Sequence, residues 1–188
     1  MALTISGTSN GKLGNLSLSN RTANVLDSGD TSFFGADSWY LSSDHTGNAD
    51  VTAWARNTGA RLGNLGSAMS VSSGHWTFPS TGIWSMELTI DMVAKTTDND
   101  FVYFVVDFTG DNFSTTDSDA FILRGGHIED EGWEQTMHQS WIMDITDTSN
   151  VKFKLRTESM SSGNKWLGAT GSGASRWTVI NFIRLGDT

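Results

Sequence analysis

The sequence predicts an all-β protein, an antiparallel sandwich of two sheets. Three observations carry that prediction. Ser, Thr and Gly supply 24, 22 and 20 of the 188 residues against a single Pro, Pro79, and Gly interrupts every stretch that would otherwise favour a helix. Several runs alternate apolar and polar residues with a period of two, which turns one face of a strand to a core and the other to water. The chain also holds 8 Trp and 10 Phe, apolar area that offsets the entropy of ordering so polar a chain. A disordered Ser/Thr/Gly tract lacks such aromatics.

Residues 1–32 contain no aromatic, and 18 of the 32 are Ser, Thr, Gly or Asn. Two short β-like pieces stand out, Leu3-Thr4-Ile5 and Leu13 to Leu18. A segment of this kind cannot bury a core of its own. Residues 1–34 are therefore read as an N-terminal arm, either a flexible tail or an extended piece that becomes ordered by adding strands to a neighbour. Its apolar attachment residues are Leu3, Ile5, Leu13, Leu16 and Leu18. Residues 35–188 form the sandwich domain.

Within that domain Val51 to Arg56 is a short apolar strand, and Ala68 to Val71 and His75 to Phe78 flank the turn Ser72-Ser73-Gly74. Trp84, Met86, Leu88, Ile90 and Met92 alternate with Ser85, Glu87, Thr89 and Asp91, the pattern of a half-buried strand. Phe101 to Phe108 is almost continuously apolar, so both of its faces are expected to be covered. Ala120 to Leu123 is another short strand. Met137, Gln139, Trp141, Met143 and Ile145 alternate again, as do Val151, Phe153 and Leu155 against Lys152, Lys154 and Arg156. Trp177 to Ile183 is a long final strand. No period of 20–50 residues repeats, which excludes a solenoid or propeller.

Composition also excludes several functions. With 12 Lys and Arg against 21 Asp and Glu the formal charge is −9, so phosphate backbones and anionic lipid repel the chain and neither nucleic acid nor a membrane is an expected partner. The absence of Cys removes disulfides, thiolate nucleophiles and Cys-based zinc sites. The opening MALTISGTSNGK has neither a basic n-region nor an apolar h-region, so the expectation is synthesis in a cytoplasm without a signal peptide.

A two-layer sandwich has no third layer to cover the second face of Phe101–Phe108, so a neighbouring copy is its expected cover. The expected interface residues are Phe101, Tyr103 and Val105, with Trp177 and Val179 of the last strand, and the aromatic wealth of the chain is expected to hold identical copies together. Asp107, Asp111, Asp117 and Asp119 crowd one loop region, and Asp111, Asp117 and Asp119 are candidate calcium ligands. Their spacing does not match the Asp-x-Asp-x-Asp-Gly loop, and a solvated acidic loop is the ordinary reading, so no metal is expected. Trp133 and Trp166 lie in or beside loops and are candidate contacts to a glycan; plugging the ends of the sandwich is the ordinary role of such rings. His45, His75, His127 and His138 carry no catalytic motif, with no Gly-x-Ser-x-Gly elbow and no His-Glu-x-x-His, so neither catalytic residues nor cofactors are expected.

The segment HWTFPSTGIWSMELTI resembles the second-strand signature of the globular heads of the complement q-type and tumour-necrosis-factor superfamily. There a Phe, a Pro, a Gly and an aromatic open a long alternating strand, here Phe78, Pro79, Gly82 and Trp84. Ser149 to Leu155 resembles the turn and strand before that family's last loop, and Arg176 to Ile183 its closing strand. The resemblance covers roughly residues 35–188. It implies a ten-stranded jelly roll that assembles as a compact trimer. The Cys-free, acidic, Ser/Thr/Asn-rich texture is closest to domains of this type in bacteriophage virion proteins. The implied role is a structural virion knob on the capsid surface, docked to capsid or tail proteins through the arm. The alternative is a receptor-binding head of a tail fibre or spike that contacts a host surface glycan.

Overall fold

The computed structural model describes residues 16–18, 21–23, 35–59, 64–94, 101–115, 119–125, 132–169 and 176–187. By its contacts the chain divides into two units, Met1–Ser32 and Phe33–Thr188. In the first unit β1 (Leu16–Leu18) and β2 (Arg21–Ala23) pair as an antiparallel hairpin with Leu16 opposite Ala23. The arm residues Leu16 and Leu18 stand on β1, whereas Leu3, Ile5 and Leu13 lie outside the described residues.

The second unit is a β-sandwich. Its strands are β3 (Gly35–Leu41), β4 (His45–Thr46), β5 (Trp54–Arg56), β6 (Ser70–Ser72), β7 (His75–Thr77), β8 (Gly82–Val93), β9 (Val102–Thr109), β10 (Asp119–Gly125), β11 (Glu134–Ile145), β12 (Lys152–Glu158), β13 (Lys165–Trp166) and β14 (Val179–Gly186). Sheet I has the order β5-β3-β14-β8-β11, with the two-residue β13 and β4 continuing beside the far end of β8. Sheet II has the order β10-β9-β12-β7-β6. All pairings are antiparallel, and five strands facing five make the jelly roll.

Local chemistry explains the connections. Ser73 and Gly74 both take positive φ, 51° and 82°, the mirror-image turn that matches strand twist and closes the β6–β7 hairpin in two residues. Gly82 opens β8 at φ 131°, and a Cβ there would collide with the carbonyl oxygen of Gly186. Two residues on, Trp84 Nε1 donates to Ser80 O at 3.1 Å and its ring lies 5.5 Å from that of Phe78. The Phe-Pro-x-x-Gly-x-Trp segment is thus a packed corner that turns the chain from sheet II into sheet I.

The alternation in β8 is realised as read. Trp84, Met86, Leu88, Ile90 and Met92 are buried, and Ser85, Glu87, Thr89 and Asp91 face outward. They meet Val102, Phe104, Val106, Phe153, Leu155, Ile180 and Phe182 in one core. Trp76 sits at its centre, stacked on Phe153 at 5.5 Å and 5.2 to 5.5 Å from the rings of Trp39, Trp54 and Phe182. The aromatic wealth therefore fills the chain's own core. Trp54, Trp76, Trp84 and Trp166 are buried, Trp39 and Trp141 pack against the same cluster, and Trp133 and Trp177 are exposed.

In Phe101–Phe108, Val102, Phe104 and Val106 enter the core, while on the second face Phe101 and Tyr103 stay half-buried and Val105 is already covered. Val105 is only 1% exposed within the single chain. It lies in register between Ile122 of β10 and Arg156 of β12, and Arg156 is held by Asp107 (Nε to Oδ2, 2.5 Å) and Glu158. Arginine stems shield apolar surface while their heads stay polar.

Candidate functional site

The outward face of sheet I is where the fold leaves apolar side chains uncovered. Register places Ala36, Ile183, Ser85 and Ile142 in one row across β3, β14, β8 and β11. Ile83 of β8, opposite Asp144 and Gly186, and Leu185 of β14 lie one row further along the strands, at the bulge between Arg184 and Gly186. Ile142 is 72% exposed, Ile183 51% and Leu185 55%. Leaving three such side chains in water forgoes roughly 1.5–3 kcal/mol each relative to full burial. Adjacent branched residues in this state mark an interaction surface more than scattered ones do.

Beyond this patch the same face turns polar. The next row is Ser38, Asn181, Glu87 and Ser140, and the one after it Tyr40, Val179, Thr89 and His138. His138 Nε2 lies 3.3 Å from Glu87 Oε1, and its Nδ1 lies 3.2 Å from Thr89 Oγ1. Further along, Thr136 donates its hydroxyl to Asp91. A hydroxyl, an imidazole and a carboxylate in series have the order of a hydrolytic triad. Here Thr89 and Glu87 stand on β8 and His138 on β11, and β8 ladders with β11 on one side and β14 on the other, so its backbone N–H groups are committed and offer an oxyanion no cradle.

A second uncovered apolar region lies at the edge where β10 and β11 close the sandwich. Phe121 and Ile122 are exposed there. The Phe121 ring is 5.4 Å from Phe108 and 5.9 Å from Trp141, so it bridges the two sheets at their rim. Edge and face are different surfaces of the same chain.

The expected interface residues are not brought together. Tyr103 and Val105 are on the outward face of sheet II, with the Phe101 ring 5.1 Å from Tyr103 and the Arg124 guanidinium 4.7 Å over Phe101. Val179 is on the outward face of sheet I and Trp177 is exposed just before it. The expected glycan pair is likewise divided. Trp166 is wholly buried on β13, 4.9 Å from the ring of Phe104 and 5.6 Å from His45, so no sugar reaches it. Trp133 is 64% exposed on a backbone fixed by Ala94 N to Trp133 O, 3.0 Å, and Gly132 N to Ala94 O, 2.7 Å.

The acidic candidates do other work. Asp111 accepts from the Thr109 hydroxyl at 2.6 Å, the Thr115 hydroxyl at 2.7 Å and the backbone N–H groups of Ser114 and Thr115. These donors, Thr109 first, hold its carboxyl below the usual carboxylate range and knot the turn after β9. Asp117 lies outside the described residues and Asp119 begins β10. Among the described residues no three His or acidic side chains are grouped to hold a metal. Asp107 pairs with Arg156 instead. His45 is half-buried with Nε2 3.1 Å from Thr157 Oγ1, and burial pushes its pKa below the ordinary histidine value. His75 packs on Phe113, and His127 lies outside the described residues. Sequence reasoning passed over Ile142, Ile183 and Leu185. The signal it offered was branched apolar residues on the outward phase of β11 and β14.

No protein-family pattern and no curated protein matches the sequence. Solved structures do match the fold. The chain is a jelly-roll sandwich of the tumour-necrosis-factor-like class. It is similar to the Eiger TNF of S. frugiperda with a TM-score of 0.60 and 11% identity, over 83% of this chain and 95% of that one. It is similar to murine APRIL at pH 8.0 with a TM-score of 0.54 and 9% identity, over 81% of this chain and 99% of that one.

Proposed function

We propose that this chain is a non-enzymatic, self-associating knob: a homotrimer in which the apolar edge of one copy seats on the sheet I face of the next. The observation that carries this reading is the uncovered patch of Ile142, Ile183 and Leu185. A second uncovered region, Phe121 and Ile122, stands elsewhere on the surface. Two different apolar surfaces on one chain suit a heterologous contact, and such contacts close into rings when the rotation allows. The tumour-necrosis-factor-like fold supports three as the ring size.

The finer reading is a structural protein of a bacteriophage particle at the virion surface, attached to capsid or tail proteins through residues 1–34. The Cys-free, acidic, Ser/Thr-rich composition and the division of the chain at Ser32/Phe33 support it. The exposed Trp133 favours a second reading, a receptor-binding head that stacks this ring on a host glycan.

Sedimentation equilibrium of the wild type and of Ile183→Glu tests the self-association. The expected result is three chain masses for the wild type and one for the variant, with unchanged far-UV circular dichroism. A wild type that stays at one chain mass at tens of micromolar sinks it. Deleting residues 2–30 tests the arm: the truncated protein is expected to keep its oligomeric state and to lose its place on particles.

A further inference from the structure

The polar half of the sheet I face carries a consequence for assembly. Its charged and titratable groups among the described residues are Glu87 and Asp91 on β8, Glu134, His138 and Asp144 on β11, Lys165 on β13, which pairs with Asp44, and Tyr40 on β3 with Arg176 4.7 Å over its ring. From β14 the facing residues are the uncharged Val179, Asn181 and Ile183. Histidine is the side-chain type that changes charge near neutral pH, and His138 is the histidine among these groups. It meets Glu87 directly, at 3.3 Å. In a single copy both side chains are about half exposed and water screens them.

We propose that assembly through this face takes up protons at His138, so that the Glu87–His138 pair makes self-association pH-dependent. This rests on the self-association reading and adds its regulation. Seating the edge of a neighbouring copy on this face removes water from Glu87. Each desolvated carboxylate then needs a cation. A protonated His138 supplies one from 3.3 Å, while a neutral ring leaves Glu87 buried and uncompensated. Desolvation of the imidazole opposes protonation, but the ring contacts a carboxylate directly. Assembly is thus tightest where histidine is charged and carboxylates are ionised, and it loosens as pH rises through neutrality.

The test is the dissociation midpoint of the oligomer, read by mass photometry or sedimentation across a dilution series at pH 6.0 and 8.0. The wild type is expected to dissociate at a protein concentration at least about tenfold lower at pH 6.0, the change that one unit of proton-affinity difference produces. His138→Gln is expected to hold the pH 8.0 midpoint at both pH values. Glu87→Gln, which removes the charge that needs compensation, is expected to approach the wild-type pH 6.0 midpoint at both. A wild-type oligomer whose midpoint does not move between pH 6.0 and 8.0 overturns this proposal and leaves the self-association reading standing. An unchanged pH response in His138→Gln overturns the assignment to this pair. Single copies at every pH and concentration overturn both readings together.

Discussion

Arg56 Nε donates to Asp37 Oδ1 at 2.6 Å, joining neighbouring strands of sheet I through a carboxylate that is otherwise enclosed by protein. Asp37 also accepts from Trp39 Nε1 at 2.9 Å, from the backbone N–H of Met69 at 2.8 Å and from that of Ser38 at 3.1 Å. One buried charge thus ties β3 and β5 to the segment leading into β6. Asp37→Ala strands three donors and a guanidinium, so the expected cost is about 3 kcal/mol. Urea denaturation followed by Trp fluorescence is the check, and a loss under about 1 kcal/mol would contradict the role assigned here.

Trp166 and Trp133 are expected to separate cleanly. Trp166→Ala empties a fully buried site against Phe104 and His45, at a cost of about 3–5 kcal/mol. Trp133→Ala removes an exposed ring and is expected to change stability by less than about 0.5 kcal/mol. A glycan array run on the second variant alone then reports on recognition without a folding artefact.

Gly82→Ala is expected to destabilise by more than 2 kcal/mol, roughly, because a left-handed φ and a collision with Gly186 O act together. Gly110→Ala is the control, since a Cβ there meets nothing within 4 Å. Equal thermal midpoints for the two would show that the corner into β8 tolerates a side chain.

Acidification is expected to weaken the fold through His45. Burial lowers its pKa, against the opposing pull of Gly47 and Asp50, so the folded chain binds fewer protons there than the unfolded one. Stability from this group is complete above about pH 6.5 and declines as pH falls through the histidine range. Asp111 and Asp147, both held low by hydrogen bonds, add losses only in the carboxylate range further down. The urea midpoint should fall between pH 7.5 and 5.5 in the wild type and change less in His45→Gln. Parallel slopes in the two proteins would remove His45 as the cause. This effect opposes that of His138 on assembly, and the two are told apart because one is read by unfolding and the other by mass.

Much of the sandwich was legible because its strands are half-buried. The alternation over 84–92 and 151–156 reports a wet face and a dry face, and the period survives in the structure residue by residue. β3 was not legible: its core-facing positions include Asp37, a residue that reads as a turn until its donors are known. β4 and β13 are two residues each and exist through tertiary pairing alone. The uncovered face of sheet I was hidden for a subtler reason. An apolar stretch with two dry faces looks as if it demands a partner, yet Val105 lies beside Ile122 and an arginine held by carboxylates of its own sheet. The side chains left in water are one isoleucine on the otherwise polar phase of β11 and Ile183 and Leu185 on a phase of β14 broken by Asn181, which no run-length criterion detects.

The position of β14 between β3 and β8 has a kinetic consequence. The middle of sheet I is supplied by the last strand of the domain in chain order, so β3 and β8 have no strand between them to join them until that strand has been made. High contact order of this kind slows folding and prolongs exposure of sticky intermediates. A nascent chain stalled before Val179 is therefore expected to recruit holdase chaperones, and the arrival of β14 to act as the trigger for collapse.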